Sequence, residues 1–378
     1  MGKYYVYSCR SRHHHFGCPY YSFHFDAQSN AARRLNSKVP ISIYLIETSI
    51  AISANSIGTA NRANGMAAVI HRVDLRGVKP GGQRWEEARA AVAASMEALG
   101  AVLVMHDALE ADLRQALFGR AAPELFALPL GAKRSLISGP VNGYIGPRPS
   151  APVYESVRAW ETTNSGAIRN VGDVLWPHGG NPAFCDAVSA FAMNMLGLQR
   201  KVGTMILEGL GVGQGSVASH LDSLNYSIRL SHYGVSEAGA GMLMTSHKDG
   251  TMLSMVVQDD VEGLELQAQD GSWLAVAPEP DTVTFIAGDL LAVATNGRVP
   301  ACVHRVSAPS GRERFSAQFV SMPKDGFTVR PFDELVDADH PPRYKPCDFD
   351  GYIRFRFAGD GRKLSDPLEA FCGVVNNE

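Results

Sequence analysis

Residues 247–304 read HKDGTMLSMVVQDDVEGLELQAQDGSWLAVAPEPDTVTFIAGDLLAVATNGRVPACVH, and this stretch decides the fold. Short apolar runs occupy Met252–Gln258, Leu264–Ala268, Trp273–Ala277, Thr282–Ala287 and Leu290–Ala294. Breaks rich in Gly, Asp, Asn and Pro separate them, among them Asp259-Asp260, Asp270-Gly271, Gly288-Asp289 and Asn296-Gly297. Strands of about five to six residues with such punctuation predict an antiparallel sandwich or barrel.

The two ends of the stretch carry the chemistry. His247 and Asp249 are two apart, so at a strand end they point to the same side. His304, 55 residues past Asp249, sits in the run Ala301–Val306. A rolled-up sheet brings it opposite the first pair. Two imidazoles and one carboxylate suit Fe(II) and leave one face of the metal free for a co-substrate and O₂. Ten residues on comes Arg314-x-Ser316. Residues i and i+2 share a strand face, so the guanidinium and hydroxyl both point inward while Phe315 points out. An inward arginine grips carboxylate with a planar fork and asks for a dianionic small acid. Tyr226–Gly234 reads as a further strand, from which Tyr233 adds a phenolic O–H to the same carboxylate. Arg229 shares a face with Ser231 and Tyr233 and fits either an acidic substrate or an internal ion pair. Tyr144 and Phe319 fit a substrate pocket and the core equally well.

His-x-Asp, the later His and Arg-x-Ser together resemble the plant-type 2-oxoglutarate/Fe(II)-dependent dioxygenases, from about Met66 to about Phe357. Tyr154-Glu155-Ser156, Leu175-Trp176-Pro177, Asn181-Pro182 and the tail Asp333–Asp337, His340-Pro341, Arg343-Tyr344 resemble one branch. It contains the alkenyl/hydroxyalkyl-producing (AOP-like) and auxin-oxidising dioxygenases. The resemblance implies an all-β core with flanking helices: a double-stranded β-helix, or jelly roll, with an α/β N-terminal region and C-terminal helices. It implies Fe(II) on His247, Asp249 and His304, and 2-oxoglutarate on Arg314, Ser316 and Tyr233. O₂ is then the oxidant and ascorbate a reductant. The implied reaction oxidises a small plant metabolite or hormone while 2-oxoglutarate is decarboxylated to succinate, with no catalytic residue beyond the iron ligands. One departure is Ser231-His232-Tyr233, where the family has Asn-Tyr-Tyr.

The implied organisation is an atypical, disordered extension over 1–65, an N-terminal dioxygenase region with scaffold helices over 66–220, the Fe(II)/2-oxoglutarate core over 221–323, and a C-terminal helical lid over 324–378. In the second region Arg84–Leu99 has helical spacing and ends at Gly100, and Ala101–Met105 reads as a buried strand. A helix is expected at Glu110–Arg120, and after Asn181-Pro182 a long scaffold helix, apolar at helical spacing over Phe184–Leu198 and Val202–Leu210 and closed by Gly209 to Gly215. The turn Asn142–Pro147 lacks a phosphate-loop pattern.

The 378 residues carry 45% hydrophobic and 19% charged residues, ordinary for a globular enzyme, and a net charge of −3 argues against nucleic acid or a membrane surface as partner. Six scattered cysteines show no metal or disulfide spacing, which fits reduced thiols in the cytoplasm. The absence of a heptad seam favours a monomer. The alternative is a catalytically silent jelly roll that binds a small molecule or partner without turnover. Such a module has no need of the iron set or of Arg-x-Ser.

Overall fold

The predicted strands assemble into two sheets in the computed structural model, which describes residues 70–136, 143–149, 151–164, 166–235, 241–308, 311–358 and 360–374. The extension 1–65 and the first residue of the turn at Asn142 lie outside them. The strands are β1 (Arg72–Asp74), β2 (Ala101–Met105), β3 (Gly143–Ile145), β4 (Tyr154–Ala159), β5 (Leu224–Tyr233), β6 (Gly241–His247), β7 (Leu253–Gln258), β8 (Leu264–Gln267), β9 (Trp273–Ala275), β10 (Thr282–Ala287), β11 (His304–Ala308) and β12 (Arg314–Pro323). Of the two large sheets one has the order β1-β2-β10-β7-β12-β5-β4-β3 and the other β6-β11-β8-β9, and a further two-stranded sheet pairs Thr328–Val329 with Cys347–Asp348. The two sheets pack face to face. Val256 and Ile286 of the larger meet Leu264 and Leu266 of the smaller. At the other end Tyr154 and Tyr233 meet Leu243 and Val306. This is the jelly roll expected from the sequence.

The outer face of the larger sheet is covered by helices α1 (Gln83–Leu99) and α2 (Pro182–Gly209). Phe191, Met195, Val202 and Met205 of α2 join Met255, Phe285 and Phe319 in one core. Gly100 closes α1 at φ 68°, a left-handed turn. A Cβ there would also sit 2.1 Å from the Pro300 carbonyl oxygen, so this position admits only glycine. Asn181 caps α2 by accepting from the Phe184 amide at 3.0 Å, with Pro182 in the first turn.

Two expectations differ from the structure, while the long scaffold helix is found as one helix of 28 residues. The polar break at Gln199–Lys201 does not interrupt it, because the buried Gln199 side chain donates to the Leu253 carbonyl at 2.8 Å and Lys201 to the Val78 carbonyl at 2.9 Å. The helix expected at Glu110–Arg120 runs on to Ala127 through a wide π-turn at Gln115–Ala121. The run Leu290–Ala294 is part of a helix, α3 (Asp289–Ala294), and not a strand. All six side chains of α3 are buried, so the run lacks the alternation that separates strand from helix. Its turn is set by Asp249 and Thr251, whose carbonyls accept from the Asp289 and Leu290 amides at 2.8 and 3.1 Å. The chain approaches so closely that a Cβ on Gly288 would lie 2.2 Å from the Thr251 carbonyl oxygen.

The C-terminal helices α4 (Phe349–Ala358) and α5 (Pro367–Cys372) follow. No helix among the described residues is long and apolar enough to cross a membrane.

Candidate active site

His247 ends β6 and His304 begins β11, and the two are directly paired across these antiparallel strands. Their rings lie 4.3 Å apart, centroid to centroid. Asp249 follows two residues beyond the end of β6. Its Oδ1 lies 3.7 Å from His247 Nε2 and 3.9 Å from His304 Nε2. The three donor atoms all fall within 4.8 Å of one another, a spacing that fits a single metal ion.

The supporting contacts aim those atoms. His247 Nδ1 lies 2.9 Å from the Thr245 carbonyl and His304 Nδ1 3.2 Å from the Cys302 carbonyl. A carbonyl only accepts, so each Nδ1 carries the proton and each Nε2 presents a lone pair. Ser254 donates to Asp249 Oδ2 at 2.6 Å, which leaves Oδ1 for the metal. Burial, then His304, pushes the His247 imidazole down to about 4, so it is neutral and ready to ligate at neutral pH. Burial pushes the Asp249 carboxyl up, but His304, His247 and the Ser254 hydroxyl outweigh it and hold it below the ordinary carboxylate value. His304 is only 3% exposed while His247 is 31% exposed, so the site opens on the His247 side. The residues present fit Fe(II): two imidazoles and a carboxylate on one side, and space on the other.

That space is a cavity of about 360 Å³ lined by Tyr154, Arg158, Arg229, Met244, His247, Lys248, Asp249, Met322, Arg356 and Phe357, among others. Helix α4 closes part of it. Arg356 donates to Asp289 at 2.5 Å and also to the Lys248 carbonyl, next to the ligand Asp249. Tyr352 donates to the same Asp289 oxygen at 2.5 Å.

The inner face of the larger sheet carries the second cluster. Tyr154, Tyr233 and Arg314 are cross-strand neighbours, and Ser156, Ser231, Ser316 and Gln258 form the next row. The Arg314 guanidinium lies 4.8 Å from the centre of the Tyr233 ring. It donates to Gln258 Oε1 at 2.9 Å and to Ser316 Oγ at 3.4 Å. Gln258 is fixed in turn, donating to the Val276 carbonyl at 2.9 Å. Arg314 is 1% exposed, its Nε has no partner, and among the described residues no carboxylate pairs with it. Burial lowers its pKa, with Tyr233 opposing. A buried guanidinium without a counter-ion is a receptor for one.

Of the residues singled out from sequence, His247, Asp249 and His304 meet in one cluster and Tyr233, Arg314 and Ser316 in another, with Arg229 in the cavity beside the first. Tyr144 and Phe319 are placed elsewhere. The Tyr144 hydroxyl donates to Glu155 at 2.8 Å, and Tyr144 is not among the residues lining the cavity. Phe319 is fully buried in the helix-facing core, stacked on Tyr226 at 5.5 Å. Ser254, Gln258, Arg158 and Arg356 were not singled out. Period-two counting inward from Arg314 or along β7 would have found the first two; the other two depend on strand register and on the return of the C-terminus.

Comparison with known proteins agrees with this arrangement. Residues 224–323 match the family model of the 2OG-Fe(II) oxygenase superfamily. The Arabidopsis thaliana protein named "Probable 2-oxoglutarate-dependent dioxygenase AOP1.2" is 30% identical over 304 residues, covering 78% of this chain and 92% of its own length. The rice dioxygenase for auxin oxidation superposes with a TM-score of 0.69 at 27% identity, over 81% of this chain and all of that one. The fold is shared also with JOX2, solved with 2OG, Fe and JA, at a TM-score of 0.68 and 20% identity, over 81% of this chain and 89% of that one.

Proposed function

The chain belongs to the 2-oxoglutarate- and Fe(II)-dependent dioxygenases, and on that premise we propose how its residues divide the work. His247, Asp249 and His304 hold the iron, and Arg314, Ser316 and Tyr233 hold the far carboxylate of 2-oxoglutarate. The substrate is a small plant metabolite or hormone, in keeping with relatives that include a dioxygenase for auxin oxidation and JOX2, solved with JA.

The observation that carries this division is Arg314, fully enclosed and without an acidic partner among the described residues, on the sheet that also supplies Ser254 to Asp249. When bound, iron and 2-oxoglutarate supply the oxidation: O₂ is consumed, 2-oxoglutarate leaves as succinate and CO₂, and the substrate gains an oxygen or loses hydrogen. The protein's share is positioning. Thr245 and Cys302 carbonyls fix the imidazoles, Ser254 turns the carboxylate, Gln258 and Tyr233 hold the Arg314 fork, and α4 shields the cavity from water. This reading includes a monomer working in the cytoplasm on a small molecule, without nucleic acid or membrane. The net charge of −3 supports the absence of a nucleic-acid partner, and light scattering tests the monomer.

Anaerobic titration of the Fe(II)-loaded protein with 2-oxoglutarate tests the division. The weak visible band of the chelate is expected, lost in Asp249→Ala and shifted to higher 2-oxoglutarate concentration in Arg314→Gln. Iron binding without the band would overturn the clamp; failure of folded protein to bind either would favour the silent jelly roll.

A further inference from the structure

Strands β4 and β5 are antiparallel neighbours, and their register sets Arg158 directly opposite Arg229. Side chains so placed start about 5 Å apart at Cβ, and like charges there repel. Both arginines line the cavity that contains His247 and Asp249. Arg158 is 7% exposed, and the Nε atoms of both are buried without a hydrogen-bond partner. Among the described residues no carboxylate forms an ion pair with either.

The other cations of the cavity wall differ. Lys248 is paired with Asp366 at 2.8 Å and Arg356 with Asp289 at 2.5 Å, while Arg148 is exposed. Among the described residues the one carboxylate in the wall is Asp249, whose Oδ2 is taken by Ser254 and whose Oδ1 faces the two imidazoles. A buried guanidinium and a half-buried one therefore face one volume with no ion-pair partner among the described residues, and the acidic charge that both feel, Asp249, belongs to the iron set. Ile145, Met244, Met322 and Phe357 give that volume its apolar surface, beside Tyr154, Thr245 and Thr251.

We propose that the substrate is an apolar small acid whose carboxylate is gripped by Arg158 and Arg229 together, with its apolar body against Met244 and Phe357 and beside the His247–Asp249 cluster. The proposal rests on the reading of His247, Asp249 and His304 as the iron site, and it names the substrate class of that site. Burial lowers the pKa of Arg158 and the Arg229 charge lowers it further, a penalty that a bound carboxylate relieves. A neutral amide or ester leaves both guanidiniums unanswered, so the site discriminates against it. Arg158 and Arg229 are positioning residues for substrate, distinct from Arg314, which lies two rows along the same face.

The test is anaerobic calorimetry on full-length protein, with Fe(II) and 2-oxoglutarate bound and again without metal. The probes are arylacetic and arylpropionic acids of one and two rings, their primary amides and the matching phosphonates. Acids are expected to bind about tenfold or more tighter than their amides. Arg158→Gln and Arg229→Gln should each weaken the acids by about tenfold or more, leaving amide binding and the 2-oxoglutarate chelate band unchanged. The comparison of acid with amide on the wild type needs no variant to fold. Equal binding of acids and amides, binding of no acid at all, unchanged acid affinity in the variants, or tighter binding of phosphonates would each overturn the proposal. So would loss of the chelate band in Arg158→Gln, which would make the pair a co-substrate clamp. Absence of the band in the wild type would sink the parent reading instead, while acid binding to the metal-free protein would still score this one.

Discussion

The two faces of the β4–β5 pair treat charge in opposite ways. On the outer face Glu155 is answered completely: Lys133 donates to it at 2.7 Å, Tyr144 at 2.8 Å, and His232 Nδ1 lies 3.3 Å away. His232 is itself held between Phe126 and Phe315, with ring centroids 5.3 and 4.9 Å away. On the inner face, with neighbouring residues pointing the other way, Arg158 and Arg314 are buried and Arg229 half-buried, and none of the three has an ion-pair partner among the described residues. Folding cannot repay an unanswered buried charge, whereas a ligand can. The difference separates charges that hold the fold together from charges that wait for an anion, and strand alternation alone keeps the two sets apart.

The largest effect expected on the inner side comes from the metal cluster. Asp249→Ala removes a ligand itself, so iron affinity and turnover should fall by more than the roughly 100-fold upper range for outer-shell partners. Iron titration of the folded variant measures it. Retained iron binding would break the assignment of this face to ligands.

On the outer side, Glu155→Gln should cost stability and spare ligand binding. Burial pushes Glu155 up, but His232, Lys133 and Tyr144 together bring it down from 4.5 to about 2. A depressed carboxylate stabilises above its unfolded value, so the benefit is full above pH 4.5 and fades as pH falls towards 2. The cost at neutral pH is of order 3 kcal/mol. Urea denaturation at pH 7 and pH 3 should show a deficit that is large at the first and small at the second. A pH-independent deficit would mean that Glu155 acts through packing. Arg314→Gln is the inner counterpart: about 1.5–3 kcal/mol of 2-oxoglutarate affinity lost, with stability unchanged or improved.

That His247 and Asp249 meet His304, and that Arg314 and Ser316 share the inner face, was legible because period-two alternation and a distant histidine are properties of a strand sequence. The boundaries of β2 and the end of α1 at Gly100 followed from local pattern in the same way. What was not legible depended on register or on all-round burial. Arg158 gains its meaning only from standing opposite Arg229, and no local pattern reports which strands will be neighbours. The run Leu290–Ala294 looked like strand because every residue in it is buried. Phe319 is the instructive miss. It lies an odd number of residues from Arg314, so alternation already placed it on the helix side, away from the cavity.

The smallest effect tests the comparison most directly. If Arg158 awaits an anion, the protein without ligand pays for holding it opposite Arg229, and Arg158→Gln removes that cost along with some packing by the arginine stem. The variant should therefore gain about 1 kcal/mol, a rise of roughly 2 °C in melting temperature by calorimetry. A structural guanidinium would give a fall. A saturating acid probe should reverse the ranking, since ligand at about 100 times its Kd adds about 2.7 kcal/mol to the wild type and much less to the variant. A variant that is more stable empty and less stable with acid present has lost a binding charge. One that is less stable in both states has lost a structural one, and the inner face would then be no different in kind from the outer.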